Sequence, residues 1–348
     1  ALTIMNCLET VGGELNAFTN KEDTVYYAAI LKEHFTKAVD LLSDIVFYSL
    51  YPQSEINKEI EVICDEIESY NDSPAELIYD LFENIIFHGH PLGHNILGDA
   101  WQLRTYNSET AKTFTQRFYK PQNAVFFAYG DINFDNLVDL LKKRTKGFGV
   151  QKPIIGDADI VAPLPAYQPT TKCIEKGTHQ THVMIGNRAY SVHDERRIAL
   201  YLLNNIIGRP SMNARLNLSL RERYGLVYTV ESTMVSYSDT GVWCTYFGCD
   251  HHDTRRCLRL VRHELNRLMQ APLSESQLCA AKRQLIGQIG VACDSRESFA
   301  LDFGRIYLHY GLEKDIEALC RRVEAVTADS LMEVARDLFA PENLTTLI

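Results

Sequence analysis

Two stretches of this chain, 220 residues apart, carry the same junction. Phe118-Tyr119-Lys120-Pro121-Gln122-Asn123 runs into an apolar segment, Ala124 to Tyr129. Leu338-Phe339-Ala340-Pro341-Glu342-Asn343 runs into another, Leu344 to Ile348. A polar helix start precedes each at the same offset, Asn107-Ser108-Glu109 in one and Thr327-Ala328-Asp329 in the other. Proline stops the helix and asparagine opens a strand. Such a repeat predicts two copies of one unit, an α+β fold of two homologous domains. A chain of 348 residues is also too long for one ordinary domain. Gly147 to Pro169 gathers glycines and prolines without sustained periodicity and reads as a linker. The expected division is an N-terminal domain over 1–148, a linker over 149–169 and a C-terminal domain over 170–348.

Within the first copy, residues 1–10 read as the inside of an amphipathic helix, with Leu2, Met5 and Leu8 on one side. Leu15–Thr19 and Thr24–Leu31 are strand-like, being β-branched and aromatic. Phe35, Val39, Leu42 and Val46 recur at helical spacing. A further helix at about 55–70 carries Ile56, Ile60, Ile63 and Ile67 on one stripe. Ser73-Pro74-Ala75-Glu76 predicts a capping box and another helix to about Phe87. In the second copy, His182–Tyr190, Gly225–Val235 and Gly241–Cys249 read as strands. Asp194–Ile207 reads as a helix stopped by Gly208 and Pro210, and Ser211 as the cap of a helix to about Arg223. Ser274-Glu275-Ser276-Gln277 caps a long helix. Short turns between strands predict antiparallel pairing, with helices packed on one face of each sheet.

Composition narrows the function. The hydrophobic share of 46% and the charged share of 23% are those of a globular protein. No apolar run approaches the ~20 residues that cross a bilayer, so no membrane partner is expected. A formal charge of −10 argues against a nucleic-acid partner. Nine scattered cysteines without a C-x-x-C pair suit a reducing compartment, so a cytoplasmic location is expected.

Candidate chemistry begins with Glu59 and Glu66 in Lys58-Glu59-Ile60-Glu61-Val62-Ile63-Cys64-Asp65-Glu66. Seven residues are nearly two helical turns, so both carboxylates share a face. Spacing alone favours a solvated helix face, since Glu is abundant on helices. Upstream lies Val11-Gly12-Gly13-Glu14-Leu15-Asn16-Ala17-Phe18-Thr19, followed by Glu22, Thr24 and Tyr26. Downstream lies Leu220-Arg221-Glu222-Arg223-Tyr224-Gly225-Leu226-Val227-Tyr228. Together these resemble the insulinase and mitochondrial-processing-peptidase family of zinc metallopeptidases, most closely its bacterial two-domain members. That family carries an inverted zinc motif, H-x-x-E-H. The motif is absent from these 348 residues. In the family it stands about 75 residues before the third zinc ligand, so the resemblance implies a chain that begins just after it.

The resemblance assigns roles residue by residue. Glu66 is the third zinc ligand, and Glu59 supports the active site from the same helix face. Asn16 and Ala17 bind substrate on an edge strand that takes the peptide as an added strand. Arg221 and Tyr228 reach over from the second domain to hold the oxyanion. The implied activity is zinc-dependent endopeptidase cleavage of peptides or unfolded segments in a closed chamber. Without the two His ligands, these residues alone are expected neither to hold Zn2+ nor to cleave. The implied partners are a peptide substrate and either a second copy or a family paralogue. The alternative is a noncatalytic subunit of the same fold that lends Arg221 and Tyr228 to another chain. His88-Gly89-His90-Pro91-Leu92-Gly93-His94 is the rival metal candidate, but Pro and Gly make it a loop without an acidic ligand. No P-loop, G-x-S-x-G elbow or dinucleotide signature is present.

Overall fold

The computed structural model describes residues 2–149, 163–209 and 212–348. The side chains of Leu2 and Met5 lie outside that description, as do Pro210, Ser211 and most of the expected linker, residues 150–162. The helix start read at Ser211 and the linker therefore fall outside the described residues. The chain forms two compact units that are not simple halves. Unit 1 comprises Ala1–Ile67, Ile96–Ile160 and Val291–Lys314; unit 2 comprises Glu68–Asn95, Val161–Gly290 and Asp315–Ile348.

Unit 2 is built on a sheet ordered β3-β7-β4-β6-β5, from β3 (Thr171–Lys172), β4 (Thr181–Ala189), β5 (Val227–Ser236), β6 (Gly241–Cys249) and β7 (Thr345–Leu347), numbered along the whole chain. β4, β5 and β6 pair antiparallel as their spacing predicts, and only β3 runs parallel to β7. The α+β class holds.

The helices are not confined to one face, and this corrects the expected packing. Opposed residues of a sheet share a face, so Met184, Tyr246 and Leu347 point one way. There they meet Ile78, Phe82 and Ile86 of α4 (Pro74–Ile86). The next residues along point the other way, where Trp243 packs on Phe339 of α13 (Ala328–Phe339), ring centroids 4.4 Å apart. α8 (Arg196–Ile207) also packs against α13 and lends Leu200, Leu202 and Leu203 to the core. A strand covered on both sides loses its alternation, which is why β4 and β6 are almost continuously buried. Gly186 in β4 is obligatory, since a Cβ there would lie 2.2 Å from the Trp243 carbonyl oxygen.

Unit 1 has a smaller sheet. β1 (Glu14–Thr19) and β2 (Thr24–Ala29) form one antiparallel hairpin, in register from Glu14 opposite Ala29 to Thr19 opposite Thr24. Beside it lie α1 (Leu2–Glu9), α2 (Phe35–Phe47) and α7 (Phe134–Arg144), with Leu8, Val39 and Leu137 buried. α3 (Gln53–Asn71) follows the expected periodicity, and α6 (Ser108–Phe118) begins at the helix start read at Asn107. α11 (Arg296–Tyr310) also belongs here although it lies nearly 300 residues along the chain. Phe303 stacks on Phe127 at 4.5 Å, and Phe299 lies 5.2 Å from Tyr129.

The repeated junction is visible in both units. Asn107 caps α6 by accepting from Glu109 and Thr110, and Thr327 caps α13 in a reciprocal capping box with Ser330. Asn123 Nδ2 donates to Phe118 O at 2.9 Å, and Asn343 Nδ2 to Asp337 O at 2.8 Å. The outcomes then part. Leu344–Ile348 yields β7, but Ala124–Tyr129, expected as a strand, forms no ladder. Its backbone is extended at Ala124, yet it pairs with no strand among the described residues.

Of the two capping boxes read from sequence, one forms. Ser274 N donates to Gln277 Oε1 and Gln277 N to Ser274 Oγ, at 3.1 and 3.3 Å. At Ser73 the side chain caps nothing, because the Ser73 carbonyl already receives the Glu76 and Leu77 N–H groups. Among the described residues no disulfide joins the nine cysteines, and no described helix is long and apolar enough to cross a membrane.

Candidate functional site

Among the described residues β1 pairs with β2 alone, which leaves its outer edge open. Asn20 N donates to Asp23 O across the turn at 2.8 Å. Alternation of hydrogen-bonded pairs from there turns the Ala17 N–H outward. That amide is not left bare. It donates to Asn16 Oδ1, the preceding side chain, at 2.8 Å. Both residues are exposed. An open edge whose outward amide is held by a displaceable side chain is a place where an extended peptide can add as a strand.

The hairpin is fastened at its turn. Asp23, with only 1% of its side chain exposed, has Arg305 Nε at 3.1 Å and His309 Nε2 at 2.9 Å, both from α11. Asn20 Nδ2 donates to the other carboxylate oxygen at 2.6 Å. Burial pushes the Asp23 carboxyl up, but hydrogen bonds from His309 and Asn20 and the Arg305 charge outweigh it and hold the pKa at about 2. Tyr27, opposite Asn16, is also tied to α11. Partial burial and then a hydrogen bond to Glu297 push its phenol above the usual range. Nothing local in the sequence announces this network, because its partners are more than 280 residues apart.

Glu59 and Glu66 both lie exposed on α3, whose buried positions are Ile60 and Cys64. At ~100° per residue the two carboxylates stand ~20° apart, so the expected shared face is present. Neither makes a hydrogen bond or ion pair among the described residues. Zinc in a catalytic site takes three protein ligands. Among the described residues one group of His, Cys, Asp and Glu could share an ion, the exposed Asp250 and His252 with the half-buried Asp253, and it does not include Glu66. The residues described here therefore do not fit a zinc ion at Glu66.

The rival loop is structural. His90 is buried, its Nδ1 accepting from Leu92 N and its Nε2 3.3 Å from Asp239, while His88 and His94 are exposed. His251 is likewise committed, to Thr181 and to the Thr178 carbonyl.

In unit 2, two backbone irregularities present Arg221 and Tyr228. Arg221 sits in a π-helical turn, Asn217–Glu222, and the chain then reverses at Gly225, whose φ of 62° favours glycine. Tyr228 sits in a β-bulge. Val227 opposes Cys249 and Val230 opposes Phe247, so Tyr228 and Thr229 together face one residue of β6. A bulge re-aims side chains, and Tyr228 stands 82% exposed with the Arg221 guanidinium 5.7 Å over its ring. The sequence held a trace of the bulge, since Val227 and Val230 are three apart where alternation asks for two. The geometry thus brings Arg221 and Tyr228 together, and Asn16 with Ala17. Among the described residues no hydrogen bond or ion pair joins Asn16 or Ala17 to Glu59 or Glu66.

Comparison with known proteins decides the family. Residues 1–100 match the family described as insulinase, peptidase family M16, and residues 105–285 match the peptidase M16 inactive domain. An uncharacterized zinc protease of Mycobacterium tuberculosis is 30% identical over 345 residues, covering 98% of this chain and 77% of that protein. The chain belongs to the M16 (insulinase) peptidase family. By family it is a metalloprotease. The uncharacterized zinc protease YmxG of Bacillus subtilis is 29% identical across the whole of this chain and 83% of its own length. The fold is that of a Helicobacter pylori protease, with a TM-score of 0.86 at 18% identity over 99% of this chain and 83% of the other. It is also that of an M16 inactive-domain protein of Pseudomonas fluorescens, with a TM-score of 0.85 at 17% identity, covering 99% and 82%.

Proposed function

We propose that this M16 chain works as a zinc-dependent endopeptidase on short or unfolded peptides, with Glu66 as one zinc ligand. On this reading the other two ligands are the histidines of an H-x-x-E-H motif that the 348 residues do not contain. No catalytic step is written through zinc here, because one carboxylate does not make its site. This chain's own residues do the rest. β1 receives the peptide as an added strand, the substrate carbonyl taking the Ala17 N–H in place of the Asn16 side chain. The freed Asn16 amide then has a donor for the same peptide. Glu59 stands beside Glu66 to orient what binds there. Arg221 and Tyr228 offer fixed donors to the charge that grows on the scissile carbonyl oxygen.

The observation that carries the reading is the open edge of β1 with its outward amide held at 2.8 Å by its own neighbour. The test is a form of the protein that includes H-x-x-E-H, assayed on an unfolded peptide with zinc supplied. Chelator-sensitive cleavage is expected, falling at least about 100-fold in Glu66→Gln. No cleavage with metal supplied contradicts it. A second reading is a noncatalytic subunit that lends Arg221 and Tyr228 to a motif-bearing paralogue, and the observation behind it is the Arg221 guanidinium 5.7 Å over the 82% exposed Tyr228 ring. Copurification with such a paralogue distinguishes the two.

A further inference from the structure

We propose that unit 2 carries a subsite for acidic polypeptide, a stretch bearing Asp or Glu side chains, held by Arg223, Arg255, Arg256 and Arg259. The proposal places this subsite next to the Arg221–Tyr228 pair and so rests on reading that pair as substrate-facing.

The charge arrangement is the first argument. The chain as a whole carries −10, yet Arg221, Arg223, Arg255, Arg256 and Arg259 outnumber the acids beside them, Glu222, Asp250 and Asp253, of which Glu222 lies 3.9 Å from Arg221. α9 (Thr254–Gln270) starts with Arg255 and Arg256 and has no acidic residue in its first turn. The positive end of a helix dipole favours acids there, and arginines oppose it. Helix stability therefore does not explain them. Asp253, at the N-cap position, makes no capping hydrogen bond and lies 3.2 Å from His252 instead.

The second argument is a contrast along the same helix. Cations of α9 that serve the fold are bonded. Arg262 donates to the Phe339 carbonyl, and Arg267 pairs with the buried Glu264 at 3.2 Å. Arg255 and Arg259, one turn apart and exposed, have no hydrogen bond or ion pair among the described residues, and neither has Arg223.

The third argument is geometry. The Arg256 guanidinium lies 4.8 Å over the exposed Tyr224 ring, repeating the stack of Arg221 on Tyr228. An aromatic ring beneath a guanidinium fixes its plane and leaves the N–H fork facing outward, the geometry that takes a carboxylate in two parallel hydrogen bonds. The apolar face of α9 is fully used, with Cys257, Val261, Leu265 and Leu268 buried. That leaves nothing to insert into a lipid surface. The overall negative charge repels a densely charged nucleic acid more than a peptide with a few carboxylates.

The test reads binding without cleavage, by fluorescence anisotropy of labelled peptides of equal length that are Glu-rich, Gln-rich or Lys-rich. The Glu-rich peptide is expected to bind at least about tenfold tighter than the Gln-rich one, and to weaken as salt rises from about 50 to about 500 mM. The triple variant Arg255→Ala, Arg256→Ala, Arg259→Ala is expected to lose that tenfold preference, with circular dichroism reporting the fold. Arg283→Ala, an exposed cation elsewhere on unit 2, is expected to keep it. Equal binding of the three peptides, or an unaffected triple variant, overturns the proposal. So does a single-stranded oligonucleotide of equal charge that displaces the peptide at lower concentration, which would mark a general polyanion surface. A chain that never cleaves leaves this subsite standing, and a failed binding experiment leaves the peptidase reading standing.

Discussion

The same junction, met twice in one chain, becomes a paired strand in unit 2 and an unpaired extended segment in unit 1. After Pro341 the backbone finds Gly186–Met184 on one side and Thr171–Lys172 on the other, and β7 forms. After Pro121 the residues are as apolar and the cap is nearly the same, but no ladder forms among the described residues. Capping and proline decide where a helix stops. A strand also needs a neighbour with free amides and carbonyls, because unpaired backbone groups are expensive to bury. The exposure of apolar side chains follows the same division. Leu31, Leu50, Trp101, Phe114 and Phe134 of unit 1 are each more than half exposed. Unit 2 encloses Trp243, Phe247 and Phe339 completely.

If that contrast is right, truncation should hurt unequally. Trp243→Ala removes a fully buried ring from the middle of unit 2 and is expected to cost about 3–5 kcal/mol. Phe127→Ala, at the half-buried stack on Phe303, is expected to cost about 1–2 kcal/mol. Denaturant titrations of both variants measure the difference, and equal losses would break the comparison.

The next effect belongs to unit 1 alone. Asp23 has its pKa lowered from 3.8 to about 2, so the folded state prefers its ionised form. A depressed carboxyl stabilises above the unfolded pKa and loses that contribution as pH falls through the folded one. The contribution is about 2 kcal/mol, complete above ~pH 4 and fading towards pH 2. Asp23→Asn is expected to remove about this much at pH 7 and to match wild type near pH 2. Hydrogen exchange of the β1 and β2 amides is the readout. A gap between the two proteins that stays constant with pH would contradict the Arg305 and His309 clamp.

The junction asparagines give a smaller and sharper comparison. Asn123→Ala and Asn343→Ala each delete one bond to a helix carbonyl, and each is expected to cost about 1 kcal/mol. Only Asn343→Ala should speed exchange at Thr345–Leu347, because only there does the junction feed a ladder. Smallest of all, Glu59→Gln and Glu66→Gln are expected to leave stability within about 0.5 kcal/mol, since both side chains are exposed and unpaired. A larger loss would mean these carboxylates serve the fold.

How much of this was legible in the sequence depended on the range of the forces involved. The strand stretches of β5 and β6 with the polar turn between them, the Ser274–Gln277 cap and the Glu59–Glu66 face are set by neighbours a few residues apart, and they read correctly. The Ser73 box failed because a backbone carbonyl had already taken the donors. The second layer of helices was missed because α4 lies early in the chain and its sheet partners lie a hundred residues later. The clamp on Asp23 was invisible for the same reason. The π-helical turn at Arg221 and the bulge at Tyr228 hid behind ordinary-looking periodicity, and the doubled exposed pair Tyr228-Thr229 was their only trace.

Metal analysis bears most directly on the account. A form of the protein that includes H-x-x-E-H is dialysed against zinc, and bound metal is counted in wild type and in Glu66→Gln. About one zinc per chain in wild type and loss of most of it in the variant is the predicted result. Equal zinc in the two proteins would contradict the assignment of Glu66 as a ligand.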